Sequence, residues 1–357
     1  MRPVAVCEIA AMLAQQIDRL APELLPDGRR MGQEWRCGGL DGGRGQSLGV
    51  HLSGSKAGVW SDFASGEAGD ALDLVAAVRC GGNKRDAIRW ARSWLGLDSS
   101  DRAALEQRRA ASAVATQQRA QQAEADAART VANAQRIWLA ADSNVRSSPV
   151  AWYLAGRGID LAELGRLPGA LRYHPSLWHA PSEQHFPALV ALITHGDGRP
   201  AGVHRTYLQI RPDRSVGKAP VEPNKMVLGS FAAAAIRIWR GASRRPWAEM
   251  PQGETVHITE GIEDALSVAI ALPEARVCAA IALGNMGAVA LPDACTVVVL
   301  WTQRDDSNQA LLAADAAVRA HLAAGRTVRR VRIPKGFKDV NDMLRAEGNA
   351  PAHTGAA

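Results

Sequence analysis

Two short stretches carry residues suited to phosphate and metal chemistry. In "TVHITEGIED" (Thr255 to Asp264) a β-branched run ends in Glu260 and Gly261. In "VVVLWTQRDD" (Val297 to Asp306) a similar run ends in Gln303, Arg304, Asp305 and Asp306. Carboxylates at the carboxyl end of a buried strand can hold a hard cation, which in turn holds phosphate. Gly261 has no side chain to keep a phosphate or metal from the backbone. Asp264, one helical turn beyond Glu260, can face the same rim. Gln303 stands where a first acid would be expected. Its amide oxygen can coordinate, but it adds no charge. Asp306 points in another direction by one residue, so it compensates only if the loop rearranges.

The elements that must position these groups follow from the surrounding pattern. Residues 251–345 alternate strand and helix: "TVHITEG", then helical "IEDALSVAIAL", then strands "RVCAAIALG" and "TVVVLWTQRDD", helical "NQALLAADAAVRAHLAAG" and strand "TVRRVRIP". This alternation predicts a parallel sheet covered by helices, with ligands bound beyond the carboxyl ends of the strands. Glu260, Gly284 and the Gln303 to Asp306 cluster all fall at such ends.

Residues 146–250 read as an α+β domain. Two strand-like runs flank the turn "HGDGRP", and Arg205 lies in the second run. Lys218 and Lys225 follow in loops containing Pro and Gly. A basic sheet face of this kind can hold phosphates. Residues 99–145 are rich in Ala, Gln and Arg and poor in large apolar side chains, which predicts a long exposed helix acting as a spacer. Residues 1–98 form a small α+β module: an amphipathic opening helix, glycine-rich turns, short strands, and two helices broken at Gly81 and Gly82. Its tryptophans, Trp35, Trp60, Trp90 and Trp94, are expected to be core anchors. Residues 346–357 are expected to be a flexible tail.

Composition sets the outer bounds. The chain has 357 residues, 47% hydrophobic and 22% charged, which is globular in character. The formal charge of +6 permits a nucleic-acid partner without demanding one. The five cysteines are scattered with no CxxC pair, which fits reduced thiols in a cytoplasmic protein. No apolar run approaches the ~18 residues of a membrane span, and no membrane partner is expected.

The 251–345 region resembles the Toprim family, the catalytic fold shared by bacterial-type primases, topoisomerases and some nucleases. "EGIED" supplies the family's glutamate, glycine and later acid as Glu260, Gly261 and Asp264, and Ala282-Leu283-Gly284 resembles its glycine turn. Gln303-Arg304-Asp305 aligns with its DxD strand end. "FKDVNDML" is similar to the primase KDPDE element through Lys338 and Asp339, with Asn341 in place of the second acid. "YLAGRGI" and "DGRPAGVHR" resemble the opening and the basic strand of the primase core, which places Arg205, Lys218 and Lys225 on its basic residues. The N-terminal module resembles a primase zinc-binding domain from which the zinc ligands are missing.

The resemblance implies a Toprim-type α/β fold with Mg²⁺ or Mn²⁺ as cofactor. Glu260 would be general base, general acid or metal ligand, and Asp305 and Asp339 metal ligands, with Asp306 a further candidate. Lys338, Gly261, Asp264 and Gly284 join the basic residues in binding nucleotide or nucleic acid. The function implied is a primase-like nucleotidyltransferase of a mobile element, phage or plasmid, using nucleoside triphosphates on single-stranded DNA. No P-loop lysine motif is present, so a replicative helicase would be a separate partner. A catalytically weakened nucleic-acid-binding accessory protein is the alternative, and a Toprim nuclease a third reading. The basic residues favour primase over nuclease.

Neither Cys37 nor His51 has partners at zinc-ligand spacing. The N-terminal module is therefore predicted to carry no metal. Elemental analysis of the purified protein should find no zinc; one zinc per chain, lost on Cys37→Ser, would contradict this.

Overall fold

Ile9, Met12, Leu13, Ile17 and Leu20 are all buried, as their helical spacing requires. The opening segment is nevertheless two helices, α1 (Val6–Gln15) and α2 (Ile17–Leu24), because Gln16 leaves the helical region at φ −110°. The structure is a computed structural model that describes residues 4–97, 102–305 and 307–348. Asp306 and the expected tail beyond residue 348 lie outside the described residues. The chain divides into two compact units, residues 1–127 and 128–357.

In the first unit, β1 (Arg29–Met31), β2 (Glu34–Cys37), β3 (Leu48–His51), β4 (Trp60–Asp62) and β5 (Ala68–Gly69) form an antiparallel sheet in sequence order. α3 (Ala71–Arg79) and α4 (Lys84–Trp94) follow. Asp70 and Asn83 cap these helices by accepting backbone N–H groups of their first turns. The break between them passes through Gly81 and Gly82 at φ +53° and +83°, a region glycine enters freely. Trp60 is a core anchor at 3% exposure, whereas Trp90 and Trp94 are half-buried and stack on each other at 6.0 Å. The buried Cys37 thiol donates to the Gly39 carbonyl. A single helix, α5 (Arg102–Ala140), then runs for 39 residues.

The second unit begins with the last turns of α5, where the helix expected to be an exposed spacer buries Ala134 and Trp138 against strand residues such as Val190 and Tyr207. α6 (Pro149–Ala155) follows, capped by Ser148 with Pro149 at its first position. Next come β6 (Leu171–His179), β7 (Gln184–Thr194), β8 (Pro200–Ile210), β9 (Val216–Lys218), β10 (Lys225–Gly229) and β11 (Ala235–Arg240). β7 and β8 are the expected hairpin across "HGDGRP", closed by His195 N–H to Arg199 O at 2.9 Å. Lys218 and Lys225 were expected in loops. They instead end β9 and begin β10, which both pair with β8 along one edge.

The remaining elements are β12 (Thr255–Thr259), α7 (Ile262–Ala271), β13 (Arg276–Ala279), β14 (Val297–Thr302), α8 (Asn308–Ala323), β15 (Thr327–Arg332) and α9 (Val340–Gly348). The strand expected across "RVCAAIALG" stops at Ala279. Ile281 there turns to φ +76°, and a short 3₁₀ turn spans Leu283–Asn285.

One ten-stranded mixed sheet runs β10-β8-β7-β11-β13-β12-β14-β15, with β6 and β9 attached at its antiparallel end. β13, β12, β14 and β15 pair in parallel, as the alternating pattern required. α7 buries Ile262, Ala265, Leu266 and Ala269 against one face of this part of the sheet. On the other face, Ala317 of α8 packs with Val256, Ile258, Val298 and Leu300. A side chain at Gly287 would meet the Ala317 Cα at 2.7 Å, so glycine lets α8 approach.

Candidate active site

β12 is flanked by β13 and β14, both parallel to it, so the loops leaving the three strands open on one rim. Glu260 is the first residue past β12, and its carbonyl accepts the Ile281 N–H at 2.9 Å. Ile281 is β-branched at positive φ, a conformation costing on the order of 1–3 kcal/mol. This strain lies in the loop that leads to Gly284.

Glu260, Gly284, Gln303, Asp305 and Ser307 line one pocket of about 360 Å³. Nothing lies within 4 Å of where a Gly284 side chain would begin, so its backbone faces open space. Burial raises the Glu260 carboxyl above its ordinary range. Lys225 opposes that rise, and the Asp305 charge adds to it. Asp305 is fully exposed and is held below its ordinary range by the Ser307 N–H, which it accepts at 2.9 Å.

Two of the three expected metal ligands, Glu260 and Asp305, are therefore together. Asp339 does not line their pocket. It is buried at the start of α9, where it accepts the Asp342 N–H at 2.9 Å, and its charge falls on Asp264. Asp264 is buried rather than open to the rim. It accepts the Gln303 amide at 3.2 Å and the Asn341 backbone N–H at 3.2 Å. Burial and then Asp339 raise its pKa to about 6, against the pull of those two donors.

Gln303 thus supplies a neutral donor where a second acid would add repulsion beside Asp264. Asn341 packs in the same way, its amide donating to Arg157 O and Ser267 Oγ. Lys338 is exposed, with its carbonyl accepting the Arg304 N–H. Among the described residues, no group of three His, Cys, Asp or Glu side chains is placed to hold a metal.

The three basic residues do not share one face. Strand alternation puts Lys225, opposite Thr206, and Lys218, opposite Leu208, on one side of β8. Arg205 points to the other side, where it donates to Tyr207 Oη and Val227 O.

On the Lys225 side lies a buried ionic cluster that sequence reasoning missed. Glu263 of α7 is 6% exposed and accepts the Tyr153 hydroxyl at 2.7 Å, while Lys225 Nζ lies 3.2 Å away. Burial pushes the Glu263 carboxyl up, but Lys225, the Tyr153 hydroxyl and Lys218 outweigh it and hold the group at about 2. Burial and Lys225 lower Lys218, and the same two influences lower His204 to about 4. The Arg157 charge also reaches Lys218, and its buried Nε has no partner. The signals for Glu263 and Tyr153 were present: an acid on the buried side of an otherwise apolar helix, and a tyrosine in "YLAGRGI".

Residues 255–350 match the family described as Toprim domain, and residues 128–238 match a family described as a domain of unknown function, DUF7146. No curated protein matches the chain. Among solved structures, the Aquifex aeolicus primase (zinc-binding and RNA polymerase domains) is 15% identical at TM-score 0.37, covering 96% of this chain and 82% of that one. A DnaG primase catalytic domain bound to single-stranded DNA is 13% identical at TM-score 0.41, covering 62% and 79%. The primase fragment of the bacteriophage T7 primase-helicase is 15% identical at TM-score 0.34, covering 56% and 69%.

The fold is α/β, with a Toprim-type parallel sheet domain preceded by an α+β portion, a long helix and a small N-terminal α+β module. No helix among the described residues is long and apolar enough to cross a membrane.

Removing Lys225 leaves Glu263 buried without its counter-charge. Lys225→Met should cost about 2–3 kcal/mol at neutral pH, less than a fully buried pair would lose because Lys225 is partly open to water. Adding Glu263→Gln should recover most of that loss in denaturant melts. A double-mutant cycle with no coupling would refute the pairing.

Proposed function

We propose that this protein is a primase-like nucleotidyltransferase that joins nucleoside triphosphates on a single-stranded DNA template with Mg²⁺ or Mn²⁺. The observation carrying this reading is the pocket shared by Glu260 and Asp305 at the ends of adjacent parallel strands, with the Lys225 charge acting on Glu260. The residues fit a divalent ion. Such an ion can be held by one or two carboxylates, the rest of its shell coming from waters and substrate phosphates, so no three-acid cage is required. Glu260 and Asp305 would hold it, with the Gln303 amide oxygen as a neutral third donor. When bound, the ion would neutralise charge on the transferring phosphate.

The chain's own groups do the rest. Glu260, through the carboxylate oxygen that the ion would leave free, would accept the proton of the attacking hydroxyl as general base. The hydroxyl oxygen then bonds to the α-phosphorus, and pyrophosphate leaves. Lys218 and Lys225 offer positive charge to the triphosphate from the neighbouring sheet face. Asp339 and Asp264 hold the loop beneath the pocket through α9 and Gln303. The protein would serve replication of a mobile element, phage or plasmid, with strand opening left to a separate helicase.

A second reading, a nucleic-acid-binding accessory protein without catalysis, is favoured by the Gln303–Asp264 hydrogen bond, which turns Asp264 inward and leaves the pocket one acid poorer. Incorporation of labelled nucleotide on a single-stranded template separates the two. Glu260→Gln should lower incorporation at least ~100-fold, the usual loss of a general base, with melting and DNA binding unchanged. Undiminished incorporation by Glu260→Gln would remove this pocket from the chemistry. A wild type that incorporates nothing but binds DNA would establish the accessory reading.

A further inference from the structure

A second concentration of positive charge lies away from the acidic rim, at the opposite end of the parallel strands. Arg276 opens β13, and Arg240, which ends β11, is its direct partner across the strand pair. Like charges placed so oppose each other. β11 pairs with β7 only at Ala235 and Ile236, so its later residues face the 166–170 segment across a cleft of about 300 Å³.

Arg166, Arg237, Trp239 and Arg240 line this cleft. The Arg166 guanidinium lies 4.1 Å over the Trp239 ring. Burial, and then the charges of Arg244, Arg240 and Arg276, pull the Arg166 pKa down.

Glu254 pairs with Arg276, and Asp197, whose charge reaches Arg237, is paired with Arg199. Among the described residues, no carboxylate lines the cleft. Arg276, 1% exposed, also donates to Ser243 Oγ at 2.8 Å, yet its Nη1 is buried without a partner. Arg237 donates through Nη2 to His195 O and Ala290 O, while its Nε and Nη1 are buried and unpartnered. Those buried donors lie against the Trp247 ring, over which the Arg237 and Arg276 guanidiniums sit at 4.5 and 5.5 Å, so the guanidiniums that a ligand in the cleft can reach are those of Arg166 and Arg240. A planar guanidinium is matched bidentately by phosphate.

From this geometry we infer that the cleft between Arg166 and β11 binds phosphate, and that its ligand is the backbone of single-stranded nucleic acid. Arg240 in the cleft and Arg244 beyond it are both exposed, so that successive phosphates meet successive arginines. The choice of a strand over a free polyphosphate rests on the nucleic-acid reading of the Toprim region. The site is separate from the Glu260–Asp305 pocket.

The test is anisotropy of a labelled oligothymidylate across a salt series, without divalent cation, for wild type and for Arg240→Ala/Arg244→Ala. Both side chains are exposed, so the fold should survive, as a melt would verify. The double variant should bind several-fold more weakly, and its log–log salt slope should flatten by about 1.4, for two single-strand phosphate contacts at roughly 0.7 each. Unchanged affinity and slope would overturn the inference. Inorganic triphosphate binding the wild type but not the variant, with DNA binding unaffected, would overturn the strand assignment in favour of a small polyphosphate. Glu260→Gln in the same assay should match wild type. Failure of nucleotide incorporation, with arginine-dependent DNA binding intact, would count against the proposed chemistry and not against this site.

Discussion

The second unit is organised around one buried ion pair, Glu263 with Lys225. Burying a carboxylate alone is costly, and only a close cation with additional donors offsets it. Glu263 has both, in Lys225 and the Tyr153 hydroxyl. The cluster joins three separate elements: α6 through Tyr153, β10 through Lys225 and α7 through Glu263. Because α7 begins two residues after Glu260, fixing Glu263 also fixes the start of the helix beneath the acidic rim. Lys225 then acts on both carboxylates, holding Glu263 ionised and opposing the rise in Glu260. The basic strands and the acidic rim are thus one electrostatic unit on a continuous sheet.

The rim separates its acids into two groups. Glu260 and Asp305 face a common pocket, while Asp264 and Asp339 are turned inward and bonded to backbone and amide donors. Gln303 is the divider, since its amide reaches Asp264 while the same residue lines the Glu260 pocket. A carboxylate there would set three acids against one another without a cation. The amide lets the loop close in the absence of one.

The parts that followed from sequence are those governed by periodicity and strand-end chemistry. The run of β-branched residues before Glu260 and before Gln303 made β12 and β14 legible, and the Ala-rich stretch after them made α8 legible. That Glu260, Gly284 and Asp305 come to one pocket was legible because the loops past neighbouring parallel strands open on one rim. What was not legible depends on which way a side chain turns. Arg205 is in the right strand but on the wrong face for Lys218 and Lys225, because period-two alternation cannot be fixed without knowing the partner register. Asp264 looked like a rim residue by helical spacing, but the approach of α9 through Asn341 buried it. Glu263 was passed over because an acid on a buried helix face becomes sensible only once Lys225, 38 residues earlier in the chain, is seen beside it.

The central claim is that Glu260 and Asp305 form a cation site that substrate phosphates complete. Its most direct measurement is Mn²⁺ binding by electron paramagnetic resonance, with and without a non-hydrolysable nucleoside triphosphate. The account predicts weak binding to the protein alone and at least ~10-fold tighter binding to the protein with nucleotide than to nucleotide alone, since a two-carboxylate site leaves most of the shell to water and phosphate. That gain should disappear in both Glu260→Gln and Asp305→Asn. A gain that persists in both variants, or its absence in the wild type, would contradict the account.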